Sequence, residues 1–353
     1  APQGGFQAVH DVACATYLVA RGAPVSAGGD VAQTLAGHLD GGQVQHLRLV
    51  APRQRALKRH GQQATRVQTL PGRVRRTGTQ HGHGLQLDRT RFDADLLGSL
   101  PNLKLLVTGG MRNAALDMSA AAALGITVCN VRGYADTAVP QHVFALLLQL
   151  TNKVQQYQQA VQRGAWQRSP HFCLLDYPVT ELAGKCFVVV GYGALGKASA
   201  KLAAAFGMQV IIAEQPGAAQ CRPGRVAFTA ALAMADVISL HCPLNNSTRH
   251  LFNTETFAGV KPGALLINTA RGALIDEAAL LAALQSGQLA GAALDVLTQE
   301  PPAPDNLLIT ANLPNLIITP HMAWATAEAR QRMVMQLASN ISRFFVDGTV
   351  PTL

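Results

Sequence analysis

Three side chains that could together move a proton and hold an anion stand far apart in this chain: Arg271 in NTARG, Glu300 in ALDVLTQEPP and His321 in ITPHMAW. Each follows a short apolar run that reads as a strand. In an open α/β sheet the carboxyl ends of the strands border the crevice where ligands bind. An imidazole titrates near neutral pH and can pass a proton, and a carboxylate beside it holds the ring and favours its charged form. The planar fork of a guanidinium can grip a carboxylate or a carbonyl oxygen. Singly, each residue also has a plain structural reading: a surface arginine, a solvated loop acid, a hydrogen-bonded histidine. Gly272 is expected to let the backbone turn after Arg271, and Asp295 reads as a cap.

A second set surrounds KCFVVVGYGALGKASAKLAAAFGMQVIIAE. Gly191, Gly193 and Gly196 form GxGxxG directly after an apolar strand, with Ala194 and Leu195 opening a helix. Glu214 follows about 20 residues on, the spacing of a dinucleotide site. The glycines permit a tight turn and close approach of backbone to a pyrophosphate, and the helix start offers free N–H groups to it. Glu214 can accept from ribose hydroxyls and would repel a 2′-phosphate. With no arginine adjacent to it, although Arg222 is near in sequence, NAD is favoured over NADP.

These residues need a scaffold, and from about Leu100 the chain supplies one by alternating apolar β-like runs with helical patterns, the signature of a doubly wound α/β fold. Strands are expected at 103–107, 126–129, 187–190, 209–213, 236–241, 264–268, 292–296 and 316–319. Helices are expected at 117–124, 194–206, 277–286 and 328–345, with one long helix over 137–163 and Pro140 in its first turn, where the missing N–H does no harm.

On these residues, with LPNLKLLVTGGMRNAALD, GYADTAVPQHVFALLL, SPHFCLLDYPVTELAGK, LHCPLNNSTRHLF and KPGALLINTARGALID, the chain from about Asp88 onward resembles the D-isomer-specific 2-hydroxyacid dehydrogenase family. It is most similar to the glycerate dehydrogenase (hydroxypyruvate reductase) members. The resemblance implies a Rossmann-type NAD-binding domain over 136–320, inserted into a discontinuous flavodoxin-like substrate domain over 88–135 and 321–353. It also implies an active site in the cleft and a homodimer. The implied reaction is hydride transfer between NAD(H) and hydroxypyruvate/D-glycerate or glyoxylate/glycolate, with His321 as acid/base paired with Glu300 and Arg271 on the substrate. Backbone amides at Gly109, Gly110 and Met111 would complete the carboxylate cradle, and Asp295 would hold the nicotinamide carboxamide. Cys242, Pro243, Thr269, Ala270 and Ala323 would line the cofactor cleft. Formate dehydrogenases carry Gln where Glu300 stands, which argues for a hydroxyacid substrate. An NAD(H)-sensing protein of the corepressor type on the same fold is the alternative.

Composition narrows the class further. The 353 residues carry a net charge of +9, but the basic excess concentrates before residue 90, so nucleic acid is not the expected partner. No apolar run spans a bilayer. Six cysteines without CxxC pairing suggest neither disulfides nor a metal site. The expected setting is the cytoplasm. Residues 1–87 depart from the resemblance: rich in Arg, Gln, His and Gly, they show no clean periodicity and are expected to be poorly ordered. Two readings account for them, a stretch out of frame before about Asp88 or a basic appendage replacing the family's first βα units.

Overall fold

The computed structural model describes residues 17–20, 67–68, 92–100, 103–109 and 116–349. The chain divides into two compact units, Ala1–Tyr134 with Ala327–Leu353, and Ala135–Thr326.

In the first unit, β1 (Tyr17–Ala20) pairs antiparallel with both β2 (Val67–Gln68) and β3 (Leu103–Thr108), and β3 pairs in parallel with β4 (Thr127–Asn130). Two helices precede or connect these strands, α1 (Ala94–Gly98) and α2 (Met118–Ala123). Each starts at an aspartate whose carboxylate accepts an orphan N–H: Asp93 from Leu96 at 3.0 Å, Asp117 from Ala120 at 2.9 Å. Phe92, Leu97, Leu106, Leu116, Ala121, Ile126 and Val128 close a small core. The C-terminal helix (Ala327–Asp347) is tied to the strand that follows α2 by polar staples. Gln336 both accepts the Arg132 N–H (3.0 Å) and donates to its carbonyl (2.9 Å), and Asn340 donates to the Asn130 carbonyl at 3.1 Å. Of residues 1–87, the described ones are β1 and β2. These strands are too short to show a period in the sequence. The expectation of poor order for the remainder falls outside the described residues.

The second unit holds a six-stranded parallel sheet: β5 (Cys186–Val190), β6 (Gln209–Ala213), β7 (Val237–Leu240), β8 (Ala264–Asn268), β9 (Leu289–Leu294) and β10 (Leu316–Ile318), in the order β10-β9-β8-β7-β5-β6. A single parallel bridge, Val226 to Ala213, extends the edge beyond β6. With it, the strand order runs third, second, first, fourth and onward, the doubly wound order, and it reverses between β5 and β7. CFVVV, VISL and ALLIN are nearly continuous apolar runs, interrupted by Ser239 and closed by Asn268, because helices cover both faces of a parallel sheet. Val188, Ile238, Leu240 and Leu266 are fully buried.

The long helix expected over 137–163 is two helices, α3 (Ala138–Asn152) and α4 (Val154–Gln162), broken at Lys153, whose φ is 55°. Lys153 caps α3 in the left-handed conformation while its N–H still reaches the Gln149 carbonyl at 3.1 Å. The break falls where composition changes. Apolar α3 buries Val143, Phe144, Leu147 and Leu150, with Phe144 stacked on Phe187 and Phe206; Gln-rich α4 buries only Ala160. Pro140 lies in the first turn, as expected. The remaining helices are α5 (Ala194–Ala205), α6 (Phe228–Met234), α7 (Thr254–Ala258), α8 (Glu277–Gln285) and α9 (Leu307–Thr310). α6, α7 and α9 are too short to give a readable period. The strand expected over 292–296 lies at 289–294, because Asp295 already belongs to the loop.

Among the described residues no helix is long and apolar enough to cross a membrane, and no group of three or more His, Cys, Asp or Glu is placed to hold a metal ion.

Gly272 is required for proximity rather than for a left-handed turn. A Cβ there would lie 1.9 Å from the Leu297 carbonyl carbon and 2.3 Å from the Thr298 nitrogen, both backbone atoms with no freedom to yield. Gly272→Ala should therefore destabilise the fold by about 3 kcal/mol. Gly98→Ala, with nothing within 4 Å of the added carbon, should be neutral or stabilising by up to about 1 kcal/mol. Urea midpoints at unchanged m-value would check both.

Candidate active site

The carboxyl ends of β8, β9 and β10 carry the three side chains. After β8, Asn268 shapes the turn: fully buried, it donates to the Arg271 carbonyl at 2.8 Å and accepts the Ala270 N–H at 3.0 Å. This staple leaves the Arg271 guanidinium exposed. Asn268 is a site-building residue that the sequence reading missed; it sits in NTARG but carries no chemistry of its own.

Glu300 lies in the loop after β9. Its Oε1 accepts the Leu297 N–H at 2.9 Å, and its Oε2 lies 2.8 Å from Nδ1 of His321. The carboxylate is thus aimed by its own loop. His321 follows β10 with φ of 54°, unusual for a residue with a side chain. The turn is fixed by the His321 N–H to the Thr319 carbonyl (2.9 Å) and by the Trp324 indole N–H to the His321 carbonyl (3.0 Å).

Electrostatics joins the three residues. The hydrogen bond it donates to Glu300 raises the His321 imidazole above its ordinary pKa despite desolvation; the charges of Glu300 and Asp295 add to the rise and that of Arg271 opposes it. Burial pushes the Glu300 carboxyl up, but the His321 hydrogen bond and charge, the Leu297 amide and the Arg271 charge together hold it below its ordinary value. An ionised carboxylate only accepts, so Nδ1 carries a hydrogen and Nε2 is the nitrogen that can give or take a proton. His241 makes the contrast. Burial pushes its pKa down to about 4, and its Nε2 is engaged by Ser239 Oγ at 2.9 Å, so it remains neutral.

Asp295, 1% exposed, caps the turn after β10. Its Oδ1 accepts from Thr319 Oγ1 at 2.6 Å and Met322 N at 2.9 Å, and its Oδ2 from Ala323 N at 2.8 Å. Burial raises its carboxyl pKa, but hydrogen bonds from His142, Thr319 and the two amides outweigh that and hold it below its ordinary value. The carboxylate thus anchors the turn carrying His321. Ala323, buried, contributes its amide to that anchor.

The dinucleotide motif lies at the end of β5, beside the reversal of strand order. A Cβ on Gly191 would lie 2.4 Å from the Cys242 nitrogen, and one on Gly196 would lie 2.1 Å from the Gly191 carbonyl oxygen. One on Gly193 would meet nothing within 4 Å. Two glycines therefore serve close packing, and the third faces open space at the start of α5, where Ala194 and Leu195 begin the helix without a side-chain cap. Thr269 Oγ1, at the end of β8, is buried with no hydrogen-bond partner. An uncapped helix start, an open glycine and an orphaned hydroxyl at strand ends fit a polar dinucleotide. Cys242 is half-buried next to Gly191 and Pro243 is exposed after it; burial pushes the Cys242 thiol up to about 11.

Glu214 is buried at the end of β6, but its surroundings differ from the sequence expectation. The following loop folds back so that Arg222 donates to both carboxylate oxygens; the Gln215 and Arg222 amides donate at 2.7 and 2.9 Å, and Arg225 lies 3.7 Å away. The Arg222 hydrogen bond holds this carboxyl well below the usual range. Arg222, eight residues on, is thus a direct spatial neighbour, and accepting from a ribose requires one of these contacts to be exchanged. Gly109 follows β3 in the first unit; Gly110 and Met111 lie outside the described residues.

The family model for the NAD binding domain of D-isomer specific 2-hydroxyacid dehydrogenases matches residues 144–323. The glycerate dehydrogenase of Methylorubrum extorquens is 44% identical over 258 residues, covering 73% of this chain and 81% of that protein. The hydroxypyruvate reductase of Blautia hydrogenotrophica is 36% identical over 266 residues, covering 74% and 82%. A solved structure of D-lactate dehydrogenase from Aquifex aeolicus, complexed with NAD and lactic acid, matches with a TM-score of 0.63 at 29% identity, covering 73% of this chain and 83% of that one. The chain belongs to the D-isomer-specific 2-hydroxyacid dehydrogenase family of oxidoreductases, and the six-stranded sheet lies within its NAD-binding domain.

Proposed function

We propose that this chain reduces hydroxypyruvate or glyoxylate, and oxidises the corresponding 2-hydroxy acid, with His321 as acid/base, Glu300 as its partner and Arg271 on the substrate. The observation that carries the reading is the 2.8 Å contact between His321 Nδ1 and Glu300, within the field of Arg271. Names of relatives such as glycerate dehydrogenase and hydroxypyruvate reductase support the substrate class.

When bound, NAD(H) supplies or accepts the hydride at the substrate carbon. The chain's own residues do the rest. In reduction, His321 Nε2 gives its proton to the carbonyl oxygen, and the ring, neutral afterwards, keeps its Nδ1 hydrogen on Glu300. The Arg271 guanidinium holds the substrate carboxylate or the adjacent oxygen and stabilises the charge that develops there. Trp324 and residues 169–178 are assigned to side-chain selection. The described cysteines are free thiols, which supports a reducing, cytoplasmic setting. We also infer a homodimer: Phe172 is 92% and Leu175 is 79% exposed in a segment that would otherwise hold bare apolar surface in water.

His321→Ala should lower kcat for hydroxypyruvate by roughly 10²–10⁴-fold while NADH still binds, read from nicotinamide absorbance and fluorescence. A wild-type protein that binds NADH tightly and turns over no small 2-keto acid would instead be a sensor of the corepressor type. In the pH profile, reduction needs the imidazolium, which is present below the raised His321 pKa, so kcat/KM for reduction should fall as pH rises through it; oxidation needs the neutral ring and should rise over the same interval. Glu300→Gln removes the charge that raises this pKa and should move both limbs toward acid. Sedimentation should show a dimer that Phe172→Ser with Leu175→Ser shifts toward monomer; a monomeric wild type would remove the dimer.

A further inference from the structure

His142 lies on α3, within the second unit, and neither the proposed mechanism nor the cofactor cradle uses it. Its side chain is 16% exposed, with Nε2 3.0 Å from Thr319 Oγ1 and 3.4 Å from Asp295 Oδ1. Thr319 Oγ1 is itself 2.6 Å from that same Oδ1.

The direction of this chain of hydrogen bonds follows from donor counting. The Asp295 carboxylate is held below its ordinary pKa and can only accept, so the single Thr319 hydroxyl hydrogen goes to it. Thr319 then has only lone pairs left for His142, so Nε2 carries a hydrogen and donates. The sequence imidazole, hydroxyl, carboxylate ends on the amides of Met322 and Ala323, at 2.9 and 2.8 Å. Those amides belong to the two residues directly after His321, the residue held at φ 54°.

We propose that His142 is a positioning residue for the acid/base: it orients Thr319 and Asp295, and through them locks the turn that presents His321. The proposal rests on the acid/base reading of His321 for its catalytic consequence, but the locking itself is a property of the fold. Without the imidazole, the Thr319 hydroxyl loses the donor that leaves it one orientation, and the buried carboxylate loses part of its compensation. The turn then has a second arrangement within reach. Displacing a catalytic group by about 1 Å can cost about 100-fold in rate.

Hydrogen exchange and kinetics test this on the full chain. In His142→Ala, amide exchange across 320–326 should quicken about tenfold, the worth of one hydrogen bond, while exchange in β5 and β7 stays unchanged. kcat for hydroxypyruvate should fall by about 10- to 100-fold with KM for NADH unaltered. His142→Gln, whose amide can still donate to Thr319, should recover much of both. Thr319→Val should match His142→Ala, and the double variant should be no worse than the poorer single one. Unchanged exchange across 320–326, a general rise throughout the sheet, or additive losses in the double variant would overturn the proposal. A wild type inactive on every 2-keto acid, yet showing the local exchange response, would remove the acid/base reading and leave the locking role of His142 standing.

Discussion

A carboxylate removed from water has to be surrounded by donors, and the site rests on how Asp295 meets that demand. A buried ionised group without compensation costs several kcal/mol. The chain meets the cost with donors from the loop after β10, a hydroxyl and two consecutive amides. Amides of neighbouring residues point to one acceptor only when the backbone turns sharply. Asp295 therefore stabilises a turn that places His321 at positive φ, a conformation the residue would not hold by itself. Desolvation, usually a penalty, is here what makes the geometry unique.

The same dependence on close approach recurs along the sheet's carboxyl edge. Gly191 lets the β5 loop touch the Cys242 backbone, and Gly272 lets the β8 loop touch Leu297 and Thr298. The second contact joins the loop that holds Arg271 to the loop that holds Glu300, so two groups distant in sequence share one rigid surface. Asn268 and the Leu297 amide then aim the arginine turn and the glutamate. Two histidines on that edge illustrate how environment assigns roles: His241 is kept neutral by burial, and His321 is charged more readily because a carboxylate lies against Nδ1.

Much of this was legible in the text because it depends on local pattern. Apolar runs of four to six residues marked the strands, and glycine spacing marked the dinucleotide loop. The β6 and β8 boundaries agree with the reading to the residue, at Gln209–Ala213 and Ala264–Asn268. The break at Lys153 was not read, since the change of composition there comes without a glycine or proline to end the helix, and neither were the short helices α6, α7 and α9.

By itself the sequence determined which groups are available and at which strand ends they stand: a guanidinium at 271, a carboxylate at 300, an imidazole at 321, and a glycine-rich loop opening a helix. Those follow from periodicity and residue type, which act over a few neighbours. Only tertiary structure decided that Arg222 lies on Glu214, that Asp295 serves the His321 turn, and that His142 reaches Thr319 from a helix 177 residues away. Hydrogen bonds act at about 3 Å, and which donors come within that range of a buried acceptor is set by how strands and helices pack, not by their order along the chain.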